Sequence, residues 1–300
     1  MLISICVATY KREQLLRKLL ESLLVQVIPE NISVEVIIVD NDPVETARTV
    51  AEEYFAKSDI TFKYFTQPEK NISLTRNKAV KEAKGEYIAF IDDDEIADKD
   101  WLKNLYSAIN DYNADAVFGK VISYFDEATP LWIRNTFLYN RPEPATGSVA
   151  EVTRSGNCMI KSSLIKNIPG PFDTRYGLSG GEDTHLFISL SKRGAKYVNC
   201  FEAITYEYVP AERSTYKWLI KRAFRTGNTY ALQVFEFTDS NLLFEKVKMF
   251  FIGITYTFMS VILFLINLFR KEARLHWMLK ICANIGKVYA LFGKRVQEYK

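Results

Sequence analysis

Tyr87-Ile88-Ala89-Phe90-Ile91-Asp92-Asp93-Asp94 decides how this 300-residue chain is read. A short apolar run ends abruptly in three carboxylates, the pattern of a buried strand whose carboxyl end opens onto a site. Working backward, residues 34–39 form another such run, which stops at Asp40-Asn41-Asp42-Pro43, and residues 2–8 form the first, which stops at Thr9-Tyr10-Lys11. Between the runs the period changes. Leu15, Leu16, Leu19, Leu20, Leu23, Leu24 and Val27 fall on one helical face, and Ala47, Val50, Ala51, Tyr54 and Phe55 on another. A strand candidate at 61–65 and a helix capped by Ser73 and closed by Gly85 complete the series. This alternation predicts an α/β domain whose mostly parallel sheet is covered by helices on both faces.

Outward from Asp94 the order loosens. Residues 101–109 read as a helix, 116–125 as extended, and 129–147, with Pro130, Pro142, Pro144 and Gly147, as a long loop. A buried strand is expected at 158–160, a helix at 183–193 ending at Gly194, and further strands at 196–198 and 203–206. With 48% hydrophobic and 25% charged residues the chain can bury one large core and carry an appendage. Cys6, Cys158, Cys200 and Cys282 lack paired spacing, so neither a zinc site nor a disulfide framework is indicated, and they are expected as small buried hydrophobes in a reducing compartment. A net charge of +3 is too small to argue for nucleic acid. The first eight residues lack a basic region and read as a strand, so the first domain is expected to stay in the cytoplasm.

Ligands of open α/β sheets bind beyond the carboxyl ends of the strands, and here those ends are acidic: Asp40, then Asp92 to Asp94. Adjacent carboxylates at low dielectric repel unless a cation or solvent offsets them, and oxygen donors suit Mg²⁺ or Mn²⁺. Strand alternation would put Asp92 and Asp94 on a shared face and turn Asp93 away. An exposed acidic loop is the plain alternative, and position at the end of an apolar run argues against it. There is no Gly-x-Gly-x-x-Gly after the first strand and no P-loop signature, which disfavours dinucleotide dehydrogenases and P-loop enzymes.

The segments Val7-Ala8-Thr9-Tyr10-Lys11-Arg12, Ile38-Val39-Asp40-Asn41, Thr75-Arg76-Asn77 through Ala83-Lys84-Gly85, and Tyr87 through Asp94 resemble, in order and spacing, glycosyltransferase family 2, inverting enzymes of the GT-A fold. Gly180-Gly181-Glu182-Asp183-Thr184-His185-Leu186-Phe187 resembles that family's Glu-Asp motif, so the likeness spans about residues 2–230. It implies transfer of a sugar from a nucleotide-diphosphate donor, UDP-linked first of all, to a saccharide or lipid-linked acceptor in bacterial surface-polysaccharide or lipopolysaccharide synthesis. It also implies site roles. Ala8, Thr9 and Tyr10 would line the nucleobase pocket and Asp40 would hydrogen-bond the base. Arg12, Arg76 and Asp93 would approach the nucleotide. Asp92 would contact ribose or metal, and Asp94 would be the principal ligand of Mg²⁺ or Mn²⁺. Asp183 would be the general base and Glu182 would position a sugar. His185 departs from the acidic residue usual there and is a candidate metal neighbour. For Asp183, a simple cap at a helix start is the alternative. Two other functions remain open: a sugar-nucleotide nucleotidyltransferase, which usually shows a Gly-rich basic loop absent here, and a catalytically silent, membrane-tethered sugar-binding subunit.

Downstream, Lys217, Lys221 and Arg225 lie four apart on one helix face, with Trp218 and Arg222 alongside, a face suited to anionic headgroups or a diphosphate, or simply solvated. Residues 249–269 carry no charge and as a helix would measure about 30 Å, the thickness of a bilayer's hydrocarbon core. Lys246 and Lys248 precede them and Arg270, Lys271 and Arg274 follow; a single crossing would export the basic stretch 270–300, against the positive-inside tendency. Residues 275–293, with His276, Lys280 and Lys287, read as interfacial or re-entrant. The expected division is a catalytic domain over 1–235 and membrane-associating helices over 236–300, held at the cytoplasmic face of the plasma membrane.

Overall fold

A computed structural model describes residues 1–55, 57 and 60–298; Tyr299 and Lys300, the end of the expected membrane-associating tail, lie outside the described residues. The elements in chain order are β1 (Leu2–Thr9), α1 (Glu13–Leu24), β2 (Ser33–Asp40), α2 (Arg48–Glu52), β3 (Thr61–Thr66), α3 (Ile72–Glu82), β4 (Tyr87–Ile91), β5 (Glu95–Ala97), α4 (Trp101–Asp111), β6 (Ala116–Phe125), α5 (Leu131–Arg134), β7 (Asn157–Lys161), α6 (Ser162–Ile165), α7 (Glu182–Lys192), β8 (Tyr197–Val209), α8 (Tyr216–Phe237), α9 (Leu242–Ile266) and α10 (Lys271–Tyr289). They include one sheet in the order β3-β2-β1-β4-β7-β6-β8-β5. β3, β2, β1 and β4 run parallel, whereas β7 joins β4 and β6 antiparallel, and β5 joins β8 antiparallel. The expected mostly parallel α/β sheet is observed, with antiparallel strands added beyond β4 that make it mixed.

Two compact units follow from the packing. The first comprises residues 1–122, 142–177 and 182–208, and the second 123–141, 178–181 and 209–300, so the boundary expected at 235 falls inside the second. In the first unit the period-two alternation of the strands sorts the core into two clusters. Ile3, Ile5, Val36 and Ile38 pack with Leu16, Leu20, Trp101 and Leu105, and Cys6, Ile37, Val39 and Phe90 pack with Ala79, Val80, Leu186 and Phe187. Trp101 is wholly buried, and its indole N–H donates to Asn157 Oδ1 at 2.8 Å. Gly85 sits where a Cβ would lie 2.6 Å from Ser4 N, so only glycine lets the chain turn this closely into β4.

Several local expectations change. α2 is short, and Phe55, expected on its buried face, is exposed. α3 is capped by Asn71, whose side chain accepts from Leu74 N, while Ser73 lies inside the helix and donates to the carbonyl of Asp173. An asparagine offers the same short acceptor two residues earlier. The two late strand candidates are one strand, β8, and the long loop contains α5. All four cysteines are free; three are buried and Cys282 is half-buried.

The second unit is built on α8, α9 and α10. Val209, Leu219, Ala223, Leu275 and Leu279 form its main cluster with Ile133 and Tyr139. α10 packs on α8 through Gly227 and Gly286, which lie against the carbonyls of Ala283 and Phe224 with no room for a Cβ. α9 is different. Its mean hydropathy reaches 2.3, yet only 17% of its most apolar window is buried. Leu243, Phe244, Phe251, Phe258, Leu265 and Ile266 face outward. α10 reaches no such apolarity, so the chain has one candidate apolar helix among its described residues.

Candidate active site

The carboxyl ends of β1, β2 and β4 bring together residues far apart in sequence. β4 stops at Ile91, and Asp92 to Asp94 form a tight turn closed by Glu95 N donating to Asp92 O at 3.1 Å. Strand alternation therefore does not govern the triplet, which corrects the expectation that Asp92 and Asp94 share a face. Instead Asp93 and Asp94 share a partner: Arg12 Nη1 meets Asp93 Oδ1 at 2.7 Å and Asp94 Oδ2 at 3.0 Å. Thr9 Oγ1 donates to the other oxygen of Asp93 at 2.9 Å. Burial and the neighbouring Asp94 push the Asp93 carboxyl up to about 6, with Arg12 opposing. Asp92 is the open member, its side chain 41% exposed, and it takes Arg76 Nη2 at 2.8 Å.

Arg76 is the pivot. It sits in α3, nine-tenths buried, and its second amino group pairs with Glu182 at the start of α7. One guanidinium thus joins the aspartate turn to the helix that carries Asp183. Asp183 itself is half-buried in the first turn of α7. Its Oδ1 accepts from Thr184 N at 2.7 Å and its Oδ2 from Ser155 N at 3.3 Å. Glu182 is placed otherwise: burial pushes its carboxyl from the ordinary 4.5 up to about 7, against the pull of Arg76 and with Asp183 adding to the rise.

That shift has a sign. A carboxyl raised in the folded state contributes stability that is full below its unfolded value and is lost as pH climbs through the folded one. Raising pH from 5 to 8 is therefore expected to lower the stability of the wild type by roughly 2 kcal/mol, and Glu182→Gln to flatten that slope. Thermal melts of both proteins across the range check it; parallel slopes would assign the ionisation elsewhere.

The other expected residues fall as follows. Tyr10 has Lys11 Nζ at 5.3 Å and Lys70 Nζ at 4.7 Å from its ring, and Ala8 lines a narrow crevice with Cys6, Arg76, Asp92 and Ser155. Asp40 is wholly buried. Its Oδ1 accepts from Asp42 N at 2.9 Å and its Oδ2 from Ala47 N at 3.0 Å and Tyr64 Oη at 2.9 Å, so its oxygens are engaged in shaping the turn after β2. The next residue does related work: Asn41 Nδ2 donates to the carbonyls of Gln67 and Glu69, both at 2.6 Å, and fixes the segment leading to Lys70. His185 faces Asp173, Nε2 to Oδ2 3.9 Å, and the ring of Tyr176 at 4.9 Å, where it lines a cavity of about 390 Å³ with Phe172 and Ser189.

Glu95 and the pair Ser155-Gly156 were not anticipated. Glu95 is buried beside Asp92 and across the β5–β8 ladder from Glu207, and its carboxyl is pushed well above the ordinary range by burial and then by those two neighbours. A Cβ on Gly156 would lie 2.8 Å from Glu95 Oε1 and 2.9 Å from Asp92 Oδ2, so glycine lets the backbone pass against both carboxylates. A fourth acid directly after the triplet was the available signal for Glu95. For Gly156 there was none.

The comparisons with known proteins agree with this geometry. The model of glycosyl transferase family 2 matches residues 4–168. The succinoglycan biosynthesis protein ExoM of Rhizobium meliloti is 33% identical over 232 residues, covering 76% of this chain and 74% of ExoM. Among solved structures, a mannosyltransferase of Pyrobaculum calidifontis in complex with GDP-Man and Mn²⁺ superposes with TM-score 0.62 at 18% identity, covering 98% of this chain and 76% of that one. Residues 1–349 of S. aureus TarS in complex with UDP-GlcNAc superpose with TM-score 0.54 at 17% identity, covering 96% of this chain and 93% of that one. Of the whole TarS, a poly(ribitol-phosphate) β-N-acetylglucosaminyltransferase, this chain spans 28%. The fold is GT-A.

Proposed function

The chain belongs to glycosyl transferase family 2, and from that premise we propose that it moves a sugar, with inversion at the anomeric carbon, from a nucleoside-diphosphate donor to a saccharide or lipid-linked acceptor in cell-surface polysaccharide synthesis. The nucleotidyltransferase alternative falls with the family assignment. The observation that carries the reading is Arg76, which ties the open carboxylate of Asp92 to Glu182 beside Asp183. A leaving diphosphate and an attacking hydroxyl need such neighbours: charge compensation on one side and a proton acceptor on the other.

Asp183 takes the proton of the acceptor hydroxyl. It is half-buried and held by Ser155 N and Thr184 N, one on each carboxylate oxygen. Glu182, buried and paired with Arg76, positions that guanidinium rather than taking the proton. Tyr10, with Lys11 and Lys70 at its ring, receives the base, and we assign base contact there rather than to Asp40. Arg12 clamps Asp93 and Asp94 and fixes the turn.

The acidic turn fits a hard divalent cation. Its donors are oxygens, and Glu95 Oε2 is buried there with no hydrogen-bond partner. Asp92 and Asp94 would hold Mg²⁺ or Mn²⁺, which supplies compensation for the charge that builds on the leaving diphosphate. His185 belongs in our reading to the cavity it lines with Phe172 and Ser189. The preferred donor is UDP-linked, in keeping with the UDP-GlcNAc bound by TarS.

α9 would lie in or on the bilayer at the cytoplasmic face of the plasma membrane, its outward Phe and Leu side chains in the acyl region and the cations at both ends at the headgroups. Calorimetric titration of the purified protein with UDP and with GDP tests the enzyme reading. We expect one nucleotide to bind with Mn²⁺ present and to bind at least about a hundredfold more weakly with chelator. Binding of neither overturns it in favour of a silent sugar-binding subunit.

A further inference from the structure

α9 and α10 are the two arms of one helical hairpin. Only Asn267 to Arg270 separate them, and Gly253 in mid-α9 lies where a Cβ would meet Val288 Cγ2 of α10 at 2.5 Å, so α10 runs back along α9. Contact with α10 uses one face of α9, on which Met249, Gly253 and Ser260 are buried. The other face is an apolar stripe. Val247, Phe250, Ile254, Phe258, Val261 and Leu265 recur at three and four residues, and all are exposed along about 27 Å of helix.

This packing argues against two ways of entering a bilayer. Were α9 to cross, α10 would cross beside it and draw Lys280 and Lys287 into the hydrocarbon. Were the hairpin to enter turn first, its deepest part would be Arg270, Lys271, Glu272 and Arg274, four charges within five residues. Lying flat meets neither cost: the stripe faces the acyl chains while α10, with its charges, stays in water.

Charge adds a preference for the lipid. Residues 209–300 carry 15 Lys and Arg against six Asp and Glu, whereas residues 1–208 carry 24 against 30. An anionic surface attracts the helical segment and repels the segment that holds Asp92 and Asp183, which leaves the sugar-transferring site facing water. We propose that α9 does not cross the bilayer but lies in the plane of a leaflet rich in anionic lipid, its stripe among the acyl chains and α10 on the aqueous side. Both the orientation and the lipid charge rest on the membrane association inferred for α9.

The full chain, with half-buried Cys282 replaced by serine, is added to preformed vesicles of phosphatidylcholine, with and without phosphatidylglycerol, and binding is read by sedimentation. Affinity is expected to be at least about tenfold higher with phosphatidylglycerol, and the gain to fade at high salt. Leu243→Cys, Phe258→Cys and Phe269→Cys, at the start, middle and end of the exposed run, are each labelled with the fluorophore NBD. Dithionite added outside, which does not cross the bilayer, is expected to bleach all three, and spin-labelled lipids to quench all three from one shallow depth. Protection of one end, Phe258 deepest with both ends shallow, or Phe269 deepest of the three would overturn the in-plane orientation. Equal affinity for the two kinds of vesicle would overturn the lipid charge. Phe258→Asp is expected to weaken vesicle binding at least about tenfold. A vesicle-free dimer that Phe258→Asp splits would give the stripe to a second copy of the chain and sink the proposal. Failure to bind any vesicle would remove the membrane association itself, whereas a spanning result would remove only its orientation. UDP binding with Mn²⁺ is measured alongside: its retention shows that each variant is folded, and its loss in wild type would sink the enzyme reading and leave the membrane surface standing.

Discussion

Asp183→Asn is expected to lower turnover by about three orders of magnitude while nucleotide binding stays within about twofold of wild type. Asparagine keeps the shape of aspartate, and its carbonyl oxygen can still accept from Thr184 N, so α7 retains its first-turn bond. What goes is a basic oxygen. Glu182 cannot replace it, because that carboxyl is buried and paired with Arg76. Single-turnover transfer rates set against calorimetric affinity for UDP separate the two effects. Were Asp183 only a helix cap, the variant would melt earlier by the roughly 1 kcal/mol of a lost cap and transfer at a near-normal rate. Normal turnover would end the base assignment.

Strand ends were the legible part of this chain. Residues 2–8, 34–39 and 87–91 could be placed because an apolar run is a one-dimensional signal, and the carboxyl ends of parallel strands gather on one edge of a sheet. Where the reading failed, the cause was local geometry or distant pairing. Asp92 to Asp94 were read as strand, yet the backbone turns there, so Asp93 and Asp94 converge on Arg12 instead of alternating. Ser73 and Asn71 both suit a cap, and only the side chain that reaches Leu74 N decides between them. Gly156 packs against Asp92 and Glu95 from a distant part of the chain, and no spacing rule carries that contact. Surface-facing α9 was legible for the opposite reason: an uncharged run that long has few alternatives in water.

Replacing Asp94 with alanine is expected to weaken UDP binding in the presence of Mn²⁺ at least about a hundredfold, to the level the wild type shows with chelator. Metal-free binding, which depends on Tyr10 and its lysine neighbours, should be unchanged. The argument turns on which carboxylates are available. Asp93 is held on both oxygens, by Thr9 and Arg12, so it is a poor candidate for a cation that needs a free oxygen. Asp92 is open but shares its charge with Arg76. Asp94 pairs with Arg12 at 3.0 Å through an exposed enough guanidinium, 33% by side chain, for that pairing to give way. Its removal leaves the Arg12–Asp93 pair in place, so the turn keeps its clamp and the fold should survive. Asp93→Asn supplies the contrast: it is expected to lower the melting temperature through the loss of two charge-assisted bonds and to leave Mn²⁺ dependence intact. If the two variants exchange these outcomes, the cation belongs to Asp93, and Arg12 is a competitor for its ligand rather than the clamp that presents it.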